Sequence, residues 1–182
     1  MVMFMKKERN DNMKFEEKFK KAYEKGIPGE ELVKSYLLKK CENKEFSYVG
    51  DFRNNPYYQK VDIDFEYRKH GSDKTITMDV KTDYKIWSTD NVVFELCKGP
   101  IDRPYDQGIN VKCQADELWL VDYHSKVVYV IDNIAFKEFV DRHYSSNDAV
   151  RMGDTSYGYL IPLIRLYDYE IIKYRINLLE VY

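Results

Sequence analysis

The chain is poor in the residues that mark several common classes of protein. Its three cysteines, Cys41, Cys97 and Cys113, are an odd set with no C-x-x-C pair, and the three histidines, His70, His124 and His143, lie far from them in sequence. Neither a disulfide framework nor a Cys/His zinc site is suggested. The cysteines read as packed or part-exposed thiols, and His70 and His143 as solvated residues. No apolar run approaches the roughly 18 to 20 residues that cross a bilayer, and the charged N-terminal stretch lacks the apolar segment of a signal peptide. The expectation is a cytosolic (cytoplasmic) protein with no membrane partner. An excess of one charge is also missing: 29 Lys and Arg stand against 31 Asp and Glu, a net charge of -2. No global basic field advertises a nucleic-acid partner, so any such binding must rest on a local patch. There is no internal repeat, low-complexity tract or linker.

What the sequence does hold is enough apolar material for one core. Of 182 residues 44% are hydrophobic and 15% aromatic, which suits a single domain over 1–182. Phe15, Phe19, Ala22 and Tyr23 share one face of an amphipathic helix over 13–25, with Gly26 as a stop. A second helix runs from Gly29 to Lys40, with Pro28 near its first turn and Leu32, Val33, Tyr36 and Leu37 on its buried face. From Glu45 the period changes to that of strands. Phe46, Tyr48 and Phe52 begin a strand that ends at the turn Arg53-Asn54-Asn55-Pro56. Val61, Ile63, Phe65 and Tyr67 alternate with Asp62, Asp64, Glu66 and Arg68, placing three carboxylates on one strand face. A turn over 69–73 leads into Thr75 to Lys81, so these two strands form a hairpin.

Further along, a strand from Asn91 to Cys97 precedes a long loop over 98–114. Glu117 to Asp122 and Lys126 to Ile131 read as a strand pair. Asp132 caps a helix to about Tyr144. A loop over 145–156, a strand Tyr157 to Leu166 that Pro162 makes an edge or a bulged one, and a helical tail over 168–179 complete the expectation. The 17 tyrosines read mostly as packing residues with a hydrogen-bonding tip, not as a base-stacking platform.

Chemistry concentrates at Asp79-Val80-Lys81. Positions i and i+2 of a strand project from one face, so a carboxylate and an ammonium stand side by side with Val80 behind them. Hairpin pairing brings Asp62 or Asp64 beside Asp79. Two carboxylates so placed repel unless neutralised, and a hard divalent cation neutralises them while keeping waters that become nucleophiles. Lys81 would then orient the water and offset charge on a scissile phosphate. Glu30 or Glu31, at the start of the second helix, supplies a further metal or water ligand. A D-x-K triplet alone is common by chance, and alternating acids usually mark only the wet face of a sheet. Their order gives them weight: helix acid, strand acid, hairpin, D-x-K.

That order resembles the PD-(D/E)xK nuclease superfamily of restriction endonucleases and Holliday junction resolvases. Gly29-Glu30 with Val33 and Tyr36-Leu37 looks like its first-helix motif, Gln59-Lys60-Val61-Asp62 like its metal-binding strand, and Met78-Asp79-Val80-Lys81 like its signature. Asn91-Val92-Val93-Phe94-Glu95, Gly108-Ile109 and Ala115-Asp116-Glu117-Leu118-Trp119 are similar to segments of uncharacterised, often phage-associated members. Together these cover about residues 29 to 122. The chain departs from the pattern in having Asp where many members have Glu in the D-x-K triplet, and Val61 where a proline precedes the strand acid.

The resemblance implies an α/β, restriction endonuclease-like fold, a central mixed β-sheet flanked by α-helices. Residues 29–131 would be the catalytic core, 1–26 a helical extension and 132–182 a helix and strand addition. It implies a Mg2+ or Mn2+ cofactor, DNA as substrate, and Asp62, Asp79 and Lys81 as the central set with Glu30 in support. Asp64 rivals Asp62, and Glu31 rivals Glu30. Glu95 is a candidate to reach the metal from a neighbouring strand, and Lys98, Arg103 and Lys112 are candidates for phosphate contact. A homodimer making paired cuts is compatible with this reading. So is a non-catalytic nucleic-acid-binding or protein-interaction module that keeps the fold, as is an accessory protein whose acidic face only solubilises.

Overall fold

The computed structural model describes residues 25–99, 101, 104, 106–152 and 156–180. The helix expected over 13–25 therefore lies almost wholly outside the described residues, as does Arg103. Residues 25–42 form one helix, α1. Gly26 is no stop, because the helix runs straight through it. Strands β1 (Phe46–Asp51), β2 (Phe65–Lys69), β3 (Thr75–Asp83), β6 (Glu117–Asp122), β7 (Val127–Asp132) and β10 (Ile172–Asn177) make a six-stranded sheet in the order β1-β2-β3-β6-β7-β10. Every pairing in it is antiparallel except β3 with β6, which is parallel. A second, antiparallel sheet has the order β5-β4-β9-β8, built from β4 (Asn91–Lys98), β5 (Asp106–Gln107), β8 (Val150–Met152) and β9 (Ser156–Pro162). Short helices α2 (Pro56–Gln59), α3 (Ile86–Thr89), α4 (Ile109–Lys112) and α6 (Leu163–Asp168) connect strands, and α5 (Asn133–His143) is the longest of the later helices.

The six-stranded sheet is apolar on both faces, as its central strand requires. All six residues of β6 are buried, with Trp119 and Val121 on one face and Leu118 and Leu120 on the other. The first face packs Val33, Tyr36 and Leu37 of α1 against Phe65, Tyr67, Met78, Val80, Val128 and Val130. The second packs against Val92, Phe94, Tyr159 and Ile161 of the second sheet and Phe136, Phe139 and Val140 of α5. The result is three layers: helix, mixed sheet, then second sheet with helix. Strand alternation puts Met78 and Val80 toward α1, so Asp79 and Lys81 project toward the other layer.

Four expectations need correcting. Residues 60–62 form a turn, not the beginning of a strand, and β2 starts only at Phe65; the apolar-acidic alternation of 61–68 hides this because Asp tolerates the left-handed backbone (φ 48°) that Asp62 adopts. The strand from which Glu95 was expected to reach the metal, β4, belongs to the second sheet and is no neighbour of β3, because periodicity names a strand but not its partner. The span 157–166 is split by Pro162 into β9 and α6, and β9 lies between β4 and β8, not at an edge. The tail is a strand: Ile172 and Ile176 are buried, Lys173 and Arg175 exposed, and β10 closes the large sheet against β7. Residues 132–182 thus complete both sheets instead of decorating a core. The strands β1 and β3, the β6–β7 pair, and α5 with its Asp132 cap accepting from the Ala135 N–H at 3.0 Å lie where expected.

One contact fixes α1 on the sheet. The Thr82 hydroxyl donates to the Gly26 carbonyl at 2.7 Å, and a Cβ built at Gly29 would stand 2.1 Å from Thr82 Oγ1 and 3.0 Å from its Cβ. Rotating the threonine does not relieve both clashes. Alanine is worth up to about 1 kcal/mol over glycine inside an exposed helix, so the sign of a substitution separates propensity from packing. Gly29→Ala is expected to destabilise by about 1–3 kcal/mol, read as a lower urea midpoint. Adding Thr82→Ala should return part of the loss; a stabilised Gly29→Ala protein would show that the close approach is absent.

Candidate active site

Asp79 is the least accessible acid of the group, at 1% exposure. Its strand neighbours seal it: Phe65 pairs with Met78 on the β2 side and Leu118 with Asp79 on the β6 side. Oδ1 accepts from Lys81 Nζ at 2.9 Å. Oδ2 is buried with no hydrogen-bond partner. Burial pushes the carboxyl up to about 7; Lys81 pulls it down, while Asp64 and Asp62 push it further up. Burial works against the Lys81 ammonium too, but Asp79, Asp62 and Asp64 outweigh it and hold Lys81 protonated well above the usual lysine range. Its side chain is 41% exposed, so this ammonium reaches from a buried carboxylate into solvent.

The two rivals for the strand acid turn out to hold different positions. Asp64 continues the β2 register opposite Asp79. Its N–H donates to the Met78 carbonyl at 2.9 Å, its Oδ2 accepts from the Val80 N–H at 2.9 Å and its Oδ1 from Gln59 Nε2 at 3.1 Å. Asp64 therefore closes the end of the β2–β3 ladder with both oxygens engaged. Asp62 sits on the left-handed turn before it, with Oδ1 2.9 Å from Lys112 Nζ and its carbonyl accepting from the Cys113 thiol at 3.8 Å. Lys112, a candidate for phosphate contact, is here the counter-ion of Asp62. Burial pushes the Cys113 thiol up to about 12, so it stays a neutral packing group.

Between the helix acids the structure discriminates. Glu31 is exposed and accepts from Arg53 Nη1 at 2.6 Å. Glu30 is 18% exposed, 3.6 Å from the same Nη1. Burial raises the Glu30 carboxyl above the ordinary glutamate range; Asp64 raises it further, while Arg53 and Lys81 pull it down. Glu30 thus shares the electrostatic environment of the Asp64–Lys81 group. Arg53 is itself anchored by a two-pronged pair to Asp51 (2.9 and 2.8 Å) and lies over the Phe65 ring at 4.9 Å.

Sequence reading treated Arg53 only as part of a turn and did not assign Gln59 to Asp64. No local signal marks either role, since both depend on a loop folding back. Glu95 does not join the group. It lies on β4 of the second sheet, lining a separate cleft of about 550 Å³ with Asp83, Lys85 and Asn91. Lys98 pairs with Asp106 at 3.6 Å.

Whether the acids suit a divalent cation can be judged from their partners. Among the described residues no three Asp, Glu, His or Cys side chains are grouped as a ready-made metal cage. Two ammoniums, Lys81 and Lys112, occupy one oxygen each of Asp79 and Asp62. The unpartnered Asp79 Oδ2 is the feature that fits a cation, because a buried carboxylate oxygen without a donor is costly and a hard cation is what such an oxygen would take. Comparison with protein-family models, with curated proteins and with solved structures finds no match for this chain.

The elevated Asp79 carboxyl makes a pH-dependent statement. A folded-state pKa of about 7, above the unfolded value near 4, means that the native state binds the extra proton between those values. Its stability contribution is present below about pH 4 and is lost as pH rises through about 7. Asp79→Asn removes that penalty, so its melting temperature should exceed the wild type's by several degrees at about pH 8, with no gain at about pH 4. A shift of equal size at both pH values would show that Asp79 is not held against its charge.

Proposed function

We propose that this chain is a metal-dependent deoxyribonuclease of the PD-(D/E)xK type, with a restriction endonuclease-like fold, hydrolysing DNA phosphodiester bonds. The observation that carries this reading is the buried, half-unpartnered Asp79 carboxylate, paired with Lys81 on the same strand. Asp79 and Asp62 would hold Mg2+ or Mn2+, with Asp64 and Glu30 in support. When bound, such a cation lowers the pKa of water and offsets charge on phosphate. The protein's own groups do the rest. Lys81, held protonated by three carboxylates, acts as a donor: it orients the attacking water and faces the charge that builds on the phosphate oxygens. Asp64 holds the strand ends in register, so that Asp79 and Lys81 keep their spacing. Glu30, whose carboxyl is raised, stands inside α1 and would accept hydrogen bonds from water beside the Asp64–Lys81 group. In the reaction the water oxygen bonds to phosphorus, the bond to the leaving sugar oxygen breaks, and that oxygen takes up a proton.

The lysine pairs on Asp79 and Asp62 favour one other reading. Because the acids are already neutralised without a metal, a non-catalytic nucleic-acid-binding or protein-interaction module on the same fold would also keep them. A cleavage assay on single-stranded, duplex and branched DNA with Mg2+ or Mn2+ separates the two. Nuclease action predicts cutting that is abolished by chelator and lowered at least about 100-fold by Lys81→Ala. Equal cutting by both proteins, or none by wild type on any DNA form, would overturn it; binding indifferent to chelator and to Lys81→Ala would support the module.

A further inference from the structure

The carboxyl ends of β3 and β6 carry a matched pair of turns. Asp83 and Asp122 are the last partners of the parallel register. Asp83 Oδ1 accepts from the backbone N–H groups of Lys85 and Ile86 (2.6 and 3.1 Å). Asp122 Oδ1 accepts from those of His124 and Ser125 (3.2 and 3.4 Å). Each aspartate is followed by a tyrosine, Tyr84 and Tyr123, and the same turn chemistry delivers the two side by side, with ring centroids 5.0 Å apart. His124 and Trp87 extend the group, 5.2 Å apart and inclined by 60°.

Four features separate this cluster from ordinary packing. Trp87 is 58% exposed, whereas the chain's other tryptophan, Trp119, is fully buried. Its indole is nevertheless fixed, since Nε1 donates to the Tyr84 carbonyl at 3.1 Å. The rings are tilted or edge-on to one another, so they do not stack on one another, although Lys126 covers one face of Tyr123. Positive charge lies among them: Lys126 Nζ stands 3.4 Å from the Tyr123 ring centre, and Lys85 is exposed on the adjoining turn.

We propose that Tyr84, Trp87, Tyr123 and His124 form a stacking platform for unpaired bases, so that the chain's substrate is single-stranded DNA or a frayed DNA end. This rests on, and sharpens, the nuclease reading. The rings of a preformed aromatic surface accept any base by its π-face, with flanking lysines for the phosphates. A duplex offers no free base faces to such a surface. The platform lies just beyond the end of β3: Tyr84 follows its last residue, Asp83, and its hydroxyl donates to the Lys25 carbonyl of α1 at 2.9 Å.

The test is fluorescence anisotropy with a labelled oligo(dT) of about 20 nucleotides, long enough for such a site, and a blunt duplex of equal length, both in EDTA so that no cutting occurs. Wild type should bind oligo(dT) more tightly than duplex. Trp87→Ala and Tyr123→Ala should each weaken oligo(dT) binding by about 5- to 150-fold, the loss of one stacked base, while Trp87→Phe retains most of it. Thermal melts keep a folding defect apart from a binding defect. Duplex bound as tightly as oligo(dT), no oligo(dT) binding, or a well-folded Trp87→Ala protein that binds as wild type does would each overturn the platform. A chain that binds oligo(dT) through Trp87 but cuts no DNA keeps the platform and removes the nuclease reading. A chain that cuts DNA but ignores Trp87 does the reverse.

Discussion

The junction of β2, β3 and β6 is organised around the burial of one carboxylate. Asp79 sits on a strand paired on both sides, antiparallel to β2 and parallel to β6, and is 1% exposed. An isolated charge so placed is among the least favourable things a fold can contain. The surroundings answer it locally: Lys81 on Oδ1, the Asp64 carboxylate turned to Gln59 and Val80 instead of toward Asp79, and Asp62 drawn to Lys112. These adjustments leave one oxygen unanswered. A structure selected only for stability has simpler solutions, such as an asparagine or a valine at that position. The unmet oxygen is the observation on which the proposed metal site rests.

Glu117 makes the contrast. It lies on the adjacent strand at the same 1% exposure, yet it accepts from the Tyr67 hydroxyl at 3.1 Å, Trp119 Nε1 at 2.9 Å and Lys173 Nζ at 3.0 Å. Donors from β2, β6 itself and β10 converge on it, tying the middle of the sheet to its edge. This is what a structural buried carboxylate looks like: each oxygen has a partner. Asp79 and Glu117 are similar in burial and differ in satisfaction. That difference, not burial, separates the candidate catalytic group from the structural one.

Local pattern made some of this legible in the sequence. The period of two through Phe65 to Arg68 and Thr75 to Lys81 located the hairpin, and i, i+2 geometry put Asp79 beside Lys81. The Gly29-Glu30 pair located the helix acid, and Arg53 shows why Glu30 and not Glu31 is the inner one: the exposed Glu31 takes the shorter bond and leaves Glu30 turned inward. What was not legible depended on non-local partners. Alternation through 61–68 looked continuous, although Asp62 lies on a left-handed turn outside the ladder. Asn91 to Glu95 was correctly a strand, but only tertiary packing assigns it to the second sheet. The tail over 168–179 carries the alternation of β10 in Ile172, Tyr174 and Ile176, but its run of mixed polar and apolar residues fits a helical period as well, and β7 decides between them. Tyrosines were read as packing residues with a hydrogen-bonding tip, as the buried Tyr67 is, its hydroxyl donating to Glu117.

The placement of α1 links stability to the site. Gly29 lets the helix approach β3 so closely that Thr82 bonds the Gly26 carbonyl, and the next residue is Glu30. A side chain at 29 would lift the helix and with it the acid that shares the environment of Asp64 and Lys81. The opposite face of β3 carries Asp79 and Lys81, so one strand is gripped by a helix on one side and displays charged groups on the other. Thr82 and Lys81 are adjacent residues that point to opposite layers; the rigidity of the first contact sets the precision of the second. The close approach at Gly29 thus lies beside Glu30, and a side chain that displaced the helix there would displace the acid with it.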